Sequence, residues 1–162
     1  MSDPIKVARG RSARVLGADF ERRVRKDLEE DGWIIDKWSN QVETELYNQP
    51  MFEEDWKLVP AKHKFQQNGI PFTIGVGFPD FIVFRLRGCS LCTARMGTSG
   101  KENYTNIGVE CKMNGKLSKI EKEKCRWLLN NNVFNSIKIA EKTKEKGKIV
   151  IVYHDFKEKY GS

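Results

Sequence analysis

The sequence lacks two features of membrane and secreted proteins. It has no apolar run of 18 residues, which argues against a transmembrane helix, and no apolar N-terminal segment of the signal-peptide type, which argues against secretion. Nothing resembles a linker between domains, and 39% apolar residues in 162 suffice for one core. We therefore expect a single domain over residues 1–162 in an intracellular, cytoplasmic protein without membrane association.

Cysteine is scarce, with four residues in the chain. The spacing Cys89-x-x-Cys92 invites a zinc interpretation, but a structural zinc ion takes four ligands. Cys111 is expected on the strand face that points away from the charged residues, and Cys125 in a helix. The pattern leaves three alternatives open: a local disulfide, two ordinary thiols, or a metal shared between two subunits.

Charge is unevenly distributed along the chain. Residues 1–26 hold eight Lys and Arg against three acids, residues 27–111 hold eight against thirteen, and residues 112–162 hold thirteen against six. Basic segments around an acidic middle suit a polyanion that is held by its phosphates. The alternative is that lysine-rich ends only keep the protein soluble.

Charged residues interrupt two apolar runs, 79–84 and 106–112, that are typical of buried strands. Side chains alternate along a strand, so Glu110 and Lys112 share one face. If the two strands pair, Asp80 joins them, and two carboxylates with one ammonium group form a patch that suits Mg²⁺. The alternative is a solvent-facing Glu-x-Lys pair and a Pro-Asp turn signal that are unrelated.

The first helix is predicted from Arg14 to Asp31, because apolar residues recur there at four-residue spacing. Residues 1–13 are predicted to form a basic, flexible arm. The apolar residues expected to be buried are Leu16, Phe20, Val24 and Leu28.

The second helix is predicted from Ser118 to about Asn131. Ser118 and Glu121 have the spacing of a capping box. Ile120, Trp127 and Leu128 are expected to be buried. Since Glu121 is already explained as a cap, its role in a site stays open.

The other predicted elements complete an α/β fold. In chain order they are a strand at 33–38, loops with a hairpin or a short helix at 39–77, a strand at 79–86, a loop at 88–104, a strand at 106–113, and two strands at 137–140 and 149–153. The order α-β-β-β-α-β-β predicts a mixed central β-sheet flanked by helices.

Four short segments resemble the PD-(D/E)xK nuclease superfamily, and within it the archaeal Holliday-junction resolvases and related archaeal or archaeal-virus endonucleases. The resemblance spans Gly17 to Tyr153. The segments that look like those of resolvases are Gly17-Ala18-Asp19-Phe20-Glu21-Arg22, Phe78-Pro79-Asp80-Phe81-Ile82 and Val109-Glu110-Cys111-Lys112. Leu117-Ser118 and the helix that follows are similar to the Leu-Ser start in the viral-type replication and repair nuclease branch of the superfamily.

The resemblance implies a restriction-endonuclease-like fold and a Mg²⁺-dependent DNA endonuclease, with Mn²⁺ as a substitute. Asp80, Glu110 and the backbone carbonyl of Cys111 would hold the metal, with Glu21 as a further candidate ligand, and Lys112 would assist the attacking water. A homodimer acting on branched DNA, such as a Holliday junction, is expected. A viral protein would act in its host cell.

The position of Glu21 supports this role independently. It follows Phe20 and precedes Val24 and Leu28 by three and seven residues, so it borders the buried stripe of the helix. The alternative is a surface acid among neighbouring arginines.

DNA contacts are predicted for eight basic residues: Arg9, Arg11, Arg14, Arg22, Lys62, Lys64, Lys116 and Lys119. Compared with compact resolvases, residues 39–77 and 88–104 are insertions. The alternatives are a nuclease for flaps, single strands or a duplex sequence, an inactive DNA-binding relative, and a structural or interaction protein.

Overall fold

The computed structural model describes residues 4–46, 49–61, 64–65, 71–73, 77–87 and 103–161. Over these residues the helices are α1 (Pro4–Glu30), α2 (Lys119–Asn130) and α3 (Phe156–Tyr160), with a 3-10 turn at Glu53–Asp55. The strands are β1 (Ile34–Lys37), β2 (Asn40–Glu43), β3 (Glu45–Leu46), β4 (Gln49–Pro50), β5 (Lys57–Pro60), β6 (Lys64–Phe65), β7 (Pro71–Thr73), β8 (Phe81–Arg87), β9 (Asn103–Lys112), β10 (Ser136–Glu145) and β11 (Lys148–Asp155).

A five-stranded sheet with the order β1-β8-β9-β10-β11 forms the centre of the molecule. Its neighbouring strands are antiparallel except β9 and β10, which are parallel and are joined through α2. A parallel pair needs such a crossover, because its strands begin at the same edge. The predicted α/β class with a mixed central sheet is confirmed. The restriction-endonuclease type of fold stays a prediction.

The predicted start of the first helix is wrong. Helix α1 begins at Pro4, so residues 4–13, predicted as an arm outside the helix, continue it. Proline is tolerated in the first turn, where its missing N–H has no partner in any case. Phe20, Val24 and Leu28 are buried as expected, whereas Leu16 is 46% exposed, because the first buried residue among the described side chains of α1 is Phe20, one turn later.

The sheet has a core on each face. On one face, α1 covers residues of β8, β9 and β10 such as Phe81, Val109 and Ala140. On the other face, Leu128 of α2 packs with Ile139 of β10. Leu128 is buried as predicted and Trp127 is half-buried, but Ile120 in the first turn of α2 is 42% exposed, contrary to expectation.

The insertion at 39–77 contributes to the core on the α2 face. Strand β2 pairs with β5, and β3 with β4, all antiparallel. Val42 and Trp56 from this segment are buried in the cluster that also contains Leu128. Residues 88–102, which include most of the second insertion with Cys89 and Cys92, lie outside the described residues. Within the described part of the chain, no helix has the length and apolarity to cross a membrane.

Gly108 in β9 allows Pro79 to pack closely against the sheet, next to Asp80. A Cβ atom at position 108 would lie 2.7 Å from Cγ of Pro79 and 3.3 Å from Cδ2 of Phe134. Real Cβ atoms do not approach neighbours at 2.7 Å. The absence of a side chain at Gly108 therefore sets the position of the turn that leads into Asp80.

We expect Gly108→Ala to lower the free energy of unfolding by about 1–3 kcal/mol, because the added methyl group overpacks the contact with Pro79. Urea denaturation measures this change. Gly17→Ala is the control: a Cβ atom there meets nothing within 4 Å, and alanine in a helix interior should gain up to about 1 kcal/mol. A Gly108→Ala protein as stable as the wild type would contradict the packing.

Candidate functional site

The register of β8 with β9 brings Asp80 and Glu110 together. Phe81 is paired with Val109, so the residue before Phe81 lies beside the residue after Val109. The backbone N–H of Asp80 donates to Oε2 of Glu110 at 3.2 Å, and the N–H of Cys111 donates to Oδ2 of Asp80 at 2.9 Å. The two strands do pair, so the condition under which the two carboxylates approach each other is met.

Lys112 stands between two carboxylates. Its Nζ lies 2.9 Å from Oε1 of Glu110 and 2.7 Å from Oε1 of Glu121. Glu110 is deeply buried, whereas Lys112 and Glu121 are partly exposed. The ammonium group therefore connects the buried end of the site with its solvent-facing end.

Glu121 has two functions at this position. The predicted capping box is confirmed: the N–H of Ser118 donates to Oε2 of Glu121 at 2.7 Å, and the N–H of Glu121 donates to Oγ of Ser118 at 3.3 Å. The other carboxylate oxygen of Glu121 binds Lys112. The sequence spacing identifies the cap, but only the fold brings this residue to Lys112.

The two buried carboxyl groups resist ionisation. Asp80 is 9% exposed and Glu110 is 4% exposed. Burial raises the pKa of Asp80, although the hydrogen bond from Cys111 lowers it in part. Burial and then the charge of Asp80 raise the pKa of Glu110 to about 8, although Lys112 acts in the opposite direction. Of the two, Glu110 forms an ion pair with Lys112, whereas Lys112 and Lys37 act on Asp80 only through their charge.

Lys112 keeps its proton. Burial lowers the pKa of Lys112, but the charge of Glu110 and the hydrogen bonds to both carboxylates outweigh this effect and raise the pKa above its usual value. For Glu121 burial acts in the other direction and raises the pKa, but the hydrogen bonds from Lys112 and Ser118 outweigh it, so that the pKa of Glu121 is lowered overall. Lys112 is therefore suited to stabilise negative charge and not to accept a proton.

Glu21 lies near this site but has its own partner. Its Oε2 forms an ion pair with Nζ of Lys37 in β1, and that Nζ lies 4.9 Å from the ring centroid of Phe81. The charge of Glu21 raises the pKa of Asp80, while that of Lys37 lowers it. Over the described ranges, no three His, Cys, Asp or Glu side chains form a group that could hold a metal. The predicted role of Glu21 as a metal ligand stays a prediction, and no sequence signal indicates Lys37 as its partner.

The available donors fit a hard divalent cation. Asp80 and Glu110 supply carboxylate oxygens, which together with a backbone carbonyl such as that of Cys111 are the ligands that Mg²⁺ prefers. The Cys111 side chain itself packs against the α1 face, as expected, and burial raises the pKa of its thiol. The cation would supply the positive charge that the buried carboxylate pair lacks.

The predicted DNA contacts differ in their relation to the site. Lys116 and Lys119 belong to the segment that joins Lys112 to Glu121, and both are exposed. Arg14 and Arg22 are exposed on α1, and Arg22 pairs with Asp19. Of the others, Arg9 and Arg11 lie in α1 and Lys64 lies in β6, with side chains that are not described, and Lys62 lies outside the described residues.

Tyr160 of α3 holds the segment between Lys112 and α2. Its hydroxyl accepts a hydrogen bond from the N–H of Leu117 at 3.1 Å and donates to the carbonyl of Gly115 at 3.2 Å. Sequence reasoning missed this residue, because nothing in the pattern near the C-terminus indicates a contact 45 residues away. Tyr160 therefore fixes the backbone that leads from Lys112 to the capping box.

In comparisons with known proteins, no family model, no curated protein and no solved structure matches this chain. The function must therefore be argued from the geometry and charge of the site.

We expect the metal-free protein to lose stability as the pH rises from about 5 to 8. The pKa of Glu110 is higher in the folded than in the unfolded protein, so between the two pKa values the folded state binds more protons. The stability is therefore fully present below the unfolded pKa of Glu110, and it falls as the pH rises toward about 8. The loss attributable to Glu110 is at most about 5 kcal/mol. Urea unfolding in a chelator at several pH values measures it.

Glu110→Gln should flatten this dependence, since an amide does not ionise. Glu30→Gln is the matched control, because Glu30 is an exposed glutamate of α1 that pairs with Lys26. An unchanged slope in Glu110→Gln would rule out Glu110 as its source.

Proposed function

We propose that the protein is a Mg²⁺-dependent DNA endonuclease that hydrolyses phosphodiester bonds. The observation that carries the proposal is the buried Asp80–Glu110 pair with a charged lysine beside it. A structural role alone does not explain this arrangement, because burying a second carboxylate against one ammonium group is unfavourable. A divalent cation and an anionic substrate would balance the charges.

Asp80, Glu110 and the carbonyl of Cys111 would hold the metal. When bound there, Mg²⁺ would activate a water molecule for attack and neutralise charge on the cleaved phosphate. Asp80 is kept in place by the N–H of Cys111, and the carbonyl of Asp80 accepts a hydrogen bond from the N–H of Trp38 at 3.1 Å. These backbone bonds orient the ligand before any substrate arrives.

Lys112 would stabilise the charge that develops on the attacked phosphate. Its ammonium group adjoins Glu110, and it is protonated over the whole working pH range because its pKa is raised. Glu121 positions this group from the opposite side through its Oε1. In this proposal Lys112 is a catalytic residue and Glu121 is a positioning residue.

The charge of the protein supports a nucleic-acid substrate. The net charge is +7, with an isoelectric point of about 9.2, and the exposed Lys116 and Lys119 lie in the segment that follows Lys112. A polyanion is attracted to such a surface through its phosphates. The preference for branched DNA and the homodimer are proposed from the resemblance to resolvases alone.

The direct test is cleavage of end-labelled four-way junction, flap, single-stranded and linear duplex DNA with Mg²⁺. Asp80→Asn should reduce cutting at least about 100-fold, because it removes one charge from the metal site and keeps the shape. Glu30→Gln, which also removes one carboxylate, should cut like the wild type.

The pattern of products distinguishes the alternatives. Symmetric nicks in the junction that disappear in Asp80→Asn would support a resolvase. Variant-sensitive cutting of another substrate would keep the nuclease and discard the junction preference. Binding without cutting of any substrate would contradict the nuclease and leave an inactive DNA-binding protein.

Lys112→Met should distinguish the contribution of the lysine from that of the metal ligands. We expect at least about 100-fold slower cutting, because the ammonium group beside the attacked phosphate is lost, while the ligand atoms remain. Mn²⁺ titration by calorimetry should still show binding to Lys112→Met and none to Asp80→Asn. A Lys112→Met protein that cuts at the wild-type rate would exclude a catalytic lysine.

A further inference from the structure

The hairpin of β10 and β11 extends beyond the edge of the sheet that carries the candidate site. Glu141 of β10 is in register with Lys112, the last residue of β9. Strand β10 runs on in the same direction to Glu145, paired there with β11 alone. Four further residues at about 3.3 Å each carry the hairpin roughly 13 Å past Lys112.

The tip of this hairpin is a defined turn. Lys146 and Gly147 both have positive φ angles, 48° and 80°, and they connect the paired residues Glu145 and Lys148. Two central residues with positive φ are the mark of a type I′ turn, which matches the twist of the strands. The projecting part is therefore an ordered hairpin and not an open loop.

The tip carries positive charge that the rest of the hairpin does not balance. Near its base, Lys138 pairs with Asp155 at 3.2 Å, and His154 with Glu141 at 2.7 Å. Beyond Lys112, one acid, Glu145, accompanies four lysines, and among the described residues none of the four forms an ion pair. These lysines, called the tip lysines below, are Lys142, Lys144, Lys146 and Lys148.

We propose that the tip lysines bind the phosphate backbone of DNA to one side of the bond that is cut. This inference rests on the proposed nuclease function, since it takes the site beside Lys112 as the point of cleavage. Lys142 and Lys144 lie two residues, roughly 7 Å, apart on the face of β10 opposite to that of Glu141 and Lys112, which corresponds to two phosphate steps of one strand at about 3.4 Å each along the helix axis. Because the hairpin backbone is already ordered by its paired strands and its turn, binding would order only the lysine side chains. None of these four lysines is among the DNA contacts predicted from the sequence.

The test compares two pairs of charge-removing substitutions. Lys144→Gln with Lys146→Gln removes two charges at the tip. Arg23→Gln with Lys26→Gln removes two exposed charges from α1, outside the hairpin, and serves as the control. Binding of fluorescent duplex and four-way junction DNA is measured by anisotropy in a chelator, which prevents cutting, from 50 to 300 mM salt.

The tip variant should bind about tenfold more weakly at 100 mM salt, and its plot of log K against log salt should be less steep by about 2. The control should stay within about twofold of the wild type. Lys144→Arg with Lys146→Arg should restore binding, because it keeps both charges. Equal thermal melting of all variants would show that the fold is retained.

Two results would overturn the hairpin proposal. One is a tip variant with the affinity and salt dependence of the control, and the other is a wild type that binds no DNA at 50 mM salt. Failure of the nuclease proposal would give a different result. If the wild type binds DNA through the tip lysines but cuts no DNA with Mg²⁺, the hairpin remains a DNA-binding element and the nuclease proposal is refuted.

Discussion

The register between β8 and β9 is the constraint on which the site depends. With Phe81 opposite Val109, Phe81, Val83, Ile107 and Val109 face α1, and Asp80 lies against Glu110. A slip of one residue in either strand would turn its apolar residues away from that core and separate the carboxylates. The same hydrophobic burial that stabilises the sheet therefore holds the charged groups together, and Gly108 allows the turn before Asp80 to approach closely enough.

The site retains an electrostatic imbalance that packing alone would not favour. Asp80 and Glu110 are both buried, and one ammonium group, that of Lys112, lies within ion-pair distance of Glu110. Burial of like charges weakens the metal-free fold as the carboxyl groups ionise. Such a shortage of positive charge is typical of sites that gain a cation, where stability is given up for binding. The free lysines beyond Lys112 place further positive charge at the same edge.

Local patterns predicted much of the site and little of its surroundings. Strand alternation places Glu110 and Lys112 on one face, and the spacing of Ser118 and Glu121 predicts the cap, because both depend on neighbouring residues alone. The start of α1 at Pro4 was missed, since the predicted apolar stripe begins only at Leu16. The links from Tyr160 to Gly115 and from Lys37 to Glu21 depend on tertiary packing, which periodicity does not encode. The metal, the substrate and the dimer stay predictions.

The double attachment of Glu121 affects how freely Lys112 can move. The ammonium group has three N–H donors and two carboxylate partners, so it could bind a phosphate with the third, or turn toward it by releasing Glu121. Glu121 would keep the N–H of Ser118 as a partner after that release, so its charge would not be left without a hydrogen bond. The capping box would thus lower the energy needed to break the hydrogen bond between Lys112 and Glu121. Helix α2 would keep its first turn intact while the side chain changes partner.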